Sequence, residues 1–398
     1  MTHTHARLAP LPSRLVARTE PLPDDERVVD HLAADGAAWL RDGRGFVTAG
    51  IAAVVQPGDA VAALREIDHV HRGPEIDAGL DAPRPRAVGA LPFAGGGRMI
   101  VPARIVERTP DGRLWRTVIE PAQVAPLPRR TAARSTPGAY TITRLTDPQA
   151  WEANVAAVLA LIDAGAAEKV VLAREVVIDS DTPFDIPTVI DTLCSTQPGC
   201  FVYADNGFVG ASPELLVQRW GRDVTARPMA GTNQRADALV RSEKDAREHQ
   251  LVVDAVLDAL APACDAATAR ETAAVGLADL THLATTITAR VRDLETSALD
   301  LALALHPTPA VAGTPRATAL ATIARLEPTP RDLYAGPCGW VDANGDGEFV
   351  VALRGAQIDG TRARLHAGAG IVAGSRADAE WAETQAKLEP MLRALIRP

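Results

Sequence analysis

The sequence is short of the features that define several large classes of protein. Its four cysteines are Cys194, Cys200, Cys264 and Cys338. None forms a C-x-x-C pair and no two histidines stand at zinc spacing, which argues against structural zinc and against a disulfide framework. No basic cluster is longer than Arg129–Arg130, and the formal net charge is −9, so nucleic acid is not an expected partner. No run approaches the roughly 18 uninterrupted apolar residues of a membrane span. The opening MTHTHARLAPLPSRLVARTEPLP lacks an apolar stretch after a basic segment, so it does not read as a secretory signal. No repeat of fixed period is visible. The expectation left standing is a cytoplasmic globular protein.

What is present is a chain of 398 residues, 47% hydrophobic and 23% charged, enough for a sizeable core. Residues 1–25, rich in Pro, Arg and Thr without periodicity, predict a poorly ordered tail. Residues 26–398 predict a single domain, with a connector at RRTAARSTPGAYTITR (129–144). DPQAWEANVAAVLALIDAG (147–165) predicts a helix with Pro148 at its start and Gly165 at its end, its apolar stripe running through Trp151, Val155, Val158, Leu159 and Ile162. KVVLAREVVI from Lys169 predicts a strand, and residues 243–261, 297–304 and 315–327 predict helices. The last third ends in strands joined by tight turns. Strands and helices are interspersed without regular βα alternation, which predicts an α+β fold.

Two motifs point elsewhere and fail on inspection. DANGDG (342–347) opens like a calcium loop, but the twelfth position, where a bidentate Glu belongs, is Leu353; a hairpin turn fits better. GAGIVA (368–373) matches a dinucleotide fingerprint, yet too little chain follows it for the rest of a βαβ unit. Its glycines still permit close approach of the backbone to a carboxylate.

Four groups of residues carry chemistry. In ADAEWAETQAKLEPML (377–392), Glu380, Glu383 and Lys387 share one helical face, which reads either as a solvated face or as a metal and anion site. Glu248 lies on the apolar half of its helix and needs a partner, either an arginine or a divalent cation shared with Glu380 or Glu383; oxygen ligands favour magnesium over zinc. Lys169 opens an apolar strand, where desolvation suits it to work as a general base. Glu214, in GASPELLV, borders another apolar strand, where a raised pKa suits a general acid. With Arg354 and Lys387 as cations for an anionic substrate, these form the inventory of a reaction site.

The stretches GALPF (89–93), KVVLAR (169–174), SPELL (212–216), MAGT (229–232), SEKDAREHQLVVD (242–254), THLATTI (281–287), LHPTPAVAGTP (305–315), YAGPCGWVDANGDGEFVVALRGA (334–356), HAGAGIV (366–372) and EWAETQAKLEPML (380–392) together resemble the chorismate-utilising enzymes. That family includes isochorismate synthases, salicylate synthases, and the large subunits of anthranilate and aminodeoxychorismate synthases. The resemblance covers about residues 85–395. It implies one large α+β domain with two packed, mostly antiparallel sheets and helices outside. It also implies magnesium held by Glu248 and Glu383, with Glu380 close by or acting through water. Lys387, Arg354 and the backbone of Gly368 and Gly370 are implied to bind the substrate carboxylates. His282 is placed near the ring, and Gly231, Thr232, Ala310, Val311 and Tyr334 along the pocket.

Within the family, ammonia-adding members resemble one another in having Gln where this chain has Lys169, and aminodeoxychorismate synthases have Lys where it has Ala230. The pair Lys169 and Ala230 implies water as nucleophile, no amidotransferase partner, and a monomer. Salicylate synthases tend to have Thr in place of Ala310, which favours stopping at isochorismate, and Tyr at Tyr334, which leans the other way. Asn233 departs from the basic residue common after AGT. Isochorismate synthase is the expected activity. Salicylate synthase, an anthranilate or aminodeoxychorismate synthase subunit, and a non-catalytic family member are the alternatives.

Overall fold

The computed structural model describes residues 15–71, 83–121, 138–233, 236–277 and 280–396. Seven elements carry or support the chemistry-bearing residues: α1 (Pro148–Asp163), β1 (Lys169–Ser180), β2 (Met229–Asn233), α2 (Glu243–Leu260), β3 (Leu280–Ala284), β4 (Arg362–Val372) and α3 (Ala377–Ile396). Most strands join one large hydrogen-bonded sheet in which neighbours run antiparallel, apart from the parallel pair Val16–Leu22 and Asp68–His71. A small second sheet contains β2 and β3 side by side. The fold is α+β, as the interspersed pattern predicts. The larger sheet is continuous, because long strands pass from one part of it into the next.

The longest ladder pairs β1 with β4, from Arg362 opposite Asp179 to Val372 opposite Lys169. β1 is buried from Lys169 to Ile178 because both of its faces are covered, whereas the first half of β4 alternates between buried and partly exposed residues. Val170, Leu172, Ala369 and Ile371 pack with Trp151, Val155 and Val158 of α1. Asp147 caps α1 by accepting from the Ala150 amide at 2.8 Å, and Pro148 occupies the first turn, as its sequence predicts.

Helix α3 is fixed to the same strand. Arg174 of β1 is buried, lies 4.1 Å from the Trp381 ring centroid, and donates from Nε to Thr384 Oγ1 at 2.6 Å. A buried arginine held by neutral partners sets the rotation of α3, and with it the face that carries Glu380 and Glu383.

Two expectations are corrected. Val16–Leu22, inside the expected tail, is a strand paired with Leu114–Glu120, and Thr19 bonds Thr117 at 2.8 Å in the buried middle. Residues 1–14 of that tail lie outside the described residues. In the expected connector, Tyr140–Arg144 is a strand on β1, while 129–137 lie outside the described residues. Tyr140–Arg144 looks irregular in sequence because an edge strand needs backbone pairing more than an apolar face, whereas Val16–Leu22 is paired on both sides. The DANGDG segment is the predicted hairpin turn: Asp342 Oδ1 accepts from the amides of Asn344 and Asp346, at 2.8 and 3.0 Å, and Gly345 takes φ +82°.

Candidate active site

The ends of β1 and β4, the small sheet and the faces of α2 and α3 surround a cavity. Its lining includes Glu214, Ala230, Gly231, Thr232, Glu248, His282, Ala310, Val311, Tyr334, Arg354, Gly368, Gly370, Glu383 and Lys387. Lys169 and Glu380 are not on that wall. Both are buried beside it, and each is held by a residue of the opposite charge.

Lys169 donates to Glu248 Oε1 at 2.7 Å, with its side chain only 1% exposed. This is the partner that Glu248 requires, supplied by a lysine and not by an arginine. Gly370 of β4 stands directly against the pair. A Cβ there would lie 2.5 Å from Glu248 Oε1 and 2.8 Å from Lys169 Cε. Its backbone is not in the left-handed region, so alanine is disfavoured by space alone. Gly370→Ala is expected to push the pair apart and lower kcat on the order of 10²-fold, the scale of an ångström-level misplacement. Steady-state kinetics beside an unchanged far-ultraviolet circular dichroism spectrum would check this.

Glu214 follows the strand Phe208–Ser212. It is buried, and burial pushes its pKa up to about 7 against the opposing pull of the Met229 amide, Lys169 and Lys387. That is the direction its apolar surroundings predict from sequence. A carboxyl that titrates near neutrality can hold a proton and release it.

Arg354 adopts φ +52°, a left-handed conformation that a non-glycine residue takes at some cost. Its Nη2 donates to His282 Nε2 at 2.7 Å, so Nε2 is the acceptor and the ring proton sits on Nδ1. Nδ1 faces Thr232 Oγ1 at 3.1 Å and the Gly231 carbonyl at 3.3 Å. Burial, with Arg354 and Lys387 adding to it, holds His282 well below its ordinary pKa and therefore neutral. His282 thus aims a cation without competing with it for an anion. Gly231 makes this geometry possible with φ +71° at an irregularity in the β2–β3 register.

Lys387 answers to two partners. It donates to the Gly368 carbonyl at 3.0 Å and pairs with Glu383 Oε1 at 2.7 Å, the helical neighbour four residues back. Glu380, near Glu383 on the same helix, takes Lys244 of α2 at 3.0 Å. Burial, together with Glu380 and Glu248, pushes the pKa of Glu383 up against the pull of Lys387. A carboxylate crowded by others in this way would be relieved by a cation. Among the described residues, no group of three or more His, Cys, Asp or Glu side chains is gathered closely enough to hold a metal ion. Two carboxylates on one cavity wall fit magnesium, which commonly takes one or two from the protein and completes its shell with water and substrate oxygens.

Two residues escape the sequence reading. His366, also on the wall, stacks on Tyr334 with centroids 5.3 Å apart. Burial lowers its pKa to about 4, so it too is neutral. Its place immediately before AGAG was the available signal. Lys244 is the other; its signal was a position one helical turn before Glu248.

The fold and cavity define an enzyme, and comparison with known proteins defines which kind. The chain belongs to the chorismate binding enzyme family, whose description matches residues 104–396. The MenF protein of Mycobacterium tuberculosis strain H37Rv is 41% identical over 341 residues, covering 78% of this chain and 86% of that protein. The isochorismate synthase DhbC of Bacillus subtilis is 35% identical over 334 residues, 78% of this chain and 81% of DhbC. The solved structure of the menaquinone-specific isochorismate synthase MenF from Escherichia coli shares the fold, with a TM-score of 0.81 at 24% identity over 96% of this chain and 95% of that one.

Proposed function

We propose that this chain is an isochorismate synthase: water adds at C2 of chorismate as the C4 hydroxyl departs. The observation that carries this reading is one cavity wall bearing both a carboxyl that titrates near pH 7, Glu214, and two cations, Arg354 and Lys387, suited to a dicarboxylate. The names of the relatives support it.

In this reading Lys169 takes a proton from the attacking water. Glu214 gives its proton to the leaving hydroxyl, so that one water is consumed and one released. Arg354, held by neutral His282, and Lys387, at the Gly368 carbonyl, orient the carboxylates. Ala230 and Ala310 offer no side-chain nucleophile, which leaves water. Magnesium held by Glu248 and Glu383, with Glu380 acting through water, would stabilise charge developing on the conjugated carboxylate. The product would enter menaquinone or siderophore biosynthesis, the uses carried in the names of the Escherichia coli MenF and of a vibriobactin-specific relative from Vibrio cholerae.

Tyr334 on the cavity wall favours a second reading, in which pyruvate is then eliminated to give salicylate. The test is incubation of the pure chain with chorismate and magnesium, products separated by chromatography and pyruvate assayed. The expected result is isochorismate in equilibrium with chorismate, no pyruvate, and no need of a nitrogen source. Salicylate with pyruvate would transfer the assignment to the second reading. No turnover would leave a binding protein.

A further inference from the structure

Lys244 has no part in the chemistry above, and its helix does not account for it. It lies in the first turn of α2, where the helix dipole favours negative charge. Its side chain is 38% exposed, whereas Glu380, whose Oε1 it holds at 3.0 Å, is 5% exposed. Lys244 also lines a second hollow, together with Glu168, Arg247 and Glu248. Glu248 is the one lining residue common to this hollow and the substrate cavity. A solvent-facing ammonium therefore covers a buried carboxylate beside a hollow whose lining includes another carboxylate of the same group.

We propose that Lys244 is a built-in competitor for the divalent cation: through Glu380 it occupies part of the carboxylate group from the second hollow, and the cation loads by displacing it. This rests on the reading that Glu248 and Glu383 hold a divalent cation, with Glu380 acting through water. Two cations drawn to one set of carboxylates oppose each other, and the opposition is a coupling free energy. The protein alone then holds its metal weakly, and a substrate carboxylate that adds ligand oxygens tips the exchange. Lys387 on Glu383, on the cavity wall, and Lys169 on Glu248, beside it, make comparable pairs. Lys244 differs in being reachable from solvent and unused in catalysis.

The probe is Mn²⁺, which shares magnesium's preference for oxygen donors, titrated by electron paramagnetic resonance into the full chain without chorismate. Lys244→Met is expected to bind Mn²⁺ on the order of tenfold more tightly than the parent. Lys244→Arg, which keeps the pair, is expected to behave like the parent. The gain should disappear in the Glu380→Gln background, since the two changes act on one interaction. Arg247→Met, which removes a charge from the same hollow, is expected to change affinity by less than about twofold because an exposed charge is screened. Equal or weaker binding by Lys244→Met, with Mn²⁺ still lost on Glu383→Gln, overturns the competitor and leaves the metal reading intact. An equal gain in the Glu380→Gln background overturns it in favour of a general field effect. Mn²⁺ binding indifferent to Glu383→Gln in both the parent and Lys244→Met would overturn the metal reading and the competitor with it.

Discussion

Lys169→Ala is expected to lower kcat by as much as about 10⁴-fold, the upper range for loss of a positioned general base, with little change in chorismate binding. The reasoning starts from burial. The side chain is 1% exposed and its Nζ lies 2.7 Å from Glu248 Oε1, so no solvent-borne group stands ready to replace it. It lies beside the cavity wall and not on it, and the cations proposed to bind the substrate carboxylates, Arg354 and Lys387, belong to other elements. Turnover should therefore collapse while affinity persists. Deleting the lysine also strands Glu248, which confounds a simple interpretation. The double variant Lys169→Ala/Glu248→Gln removes the stranded charge. If turnover stays low there, the missing base is responsible, whereas recovery would assign the loss to the unpaired carboxylate. Near-normal kcat in the single variant would refute the base outright. Product chromatography with a fluorescence measurement of chorismate affinity reads both quantities.

Glu214→Gln is expected to lower kcat/KM by about 10²–10⁴-fold and to erase one limb of its pH profile. In the parent the carboxyl titrates at about 7. A general acid works in its protonated form, so parent kcat/KM should fall about tenfold per pH unit above that value. The amide variant has no such proton and should show no such fall. Stability supplies an independent reading of the same group. The unfolded carboxyl loses its proton near pH 4.3 and the folded one near 7, so between these values the folded state binds more protons. Stability is thus fully present below the unfolded value and lost as pH rises through the folded one, by about 3 kcal/mol in order of magnitude. Glu214→Gln, which keeps the shape without the charge, should melt higher than the parent at pH 8 and much the same at pH 4. Parallel melting curves at all pH values would contradict the raised pKa.

The contrast between these two residues marks the boundary of what the chain could reveal unaided. Glu214 was legible because its fate depends on its immediate neighbours: apolar strands on either side dictate desolvation, and desolvation dictates the direction of the shift. The Glu383–Lys387 pair was legible for the same reason, since four residues on a helix is one turn and the spacing fixes the contact. Gly370 was half legible. Its lack of a Cβ announced a close approach, but what approaches it is a Lys169–Glu248 pair brought in from β1 and α2.

By itself, the sequence determined the helices and strands that carry the site, the α+β class, and the identity of the acids and cations available for chemistry, but not the strands Val16–Leu22 and Tyr140–Arg144. Periodicity, capping and side-chain type are local properties, and local sequence specifies them. Only the tertiary structure decided which lysine neutralises which carboxylate, that Arg354 is aimed by a histidine protonated on Nδ1, and that Lys244 reaches across from α2 to Glu380. Ion pairs and hydrogen bonds of that kind act over a few ångströms between elements far apart in the chain. They are set by the register of β1 on β4 and the rotation of α3, which no spacing along the sequence encodes.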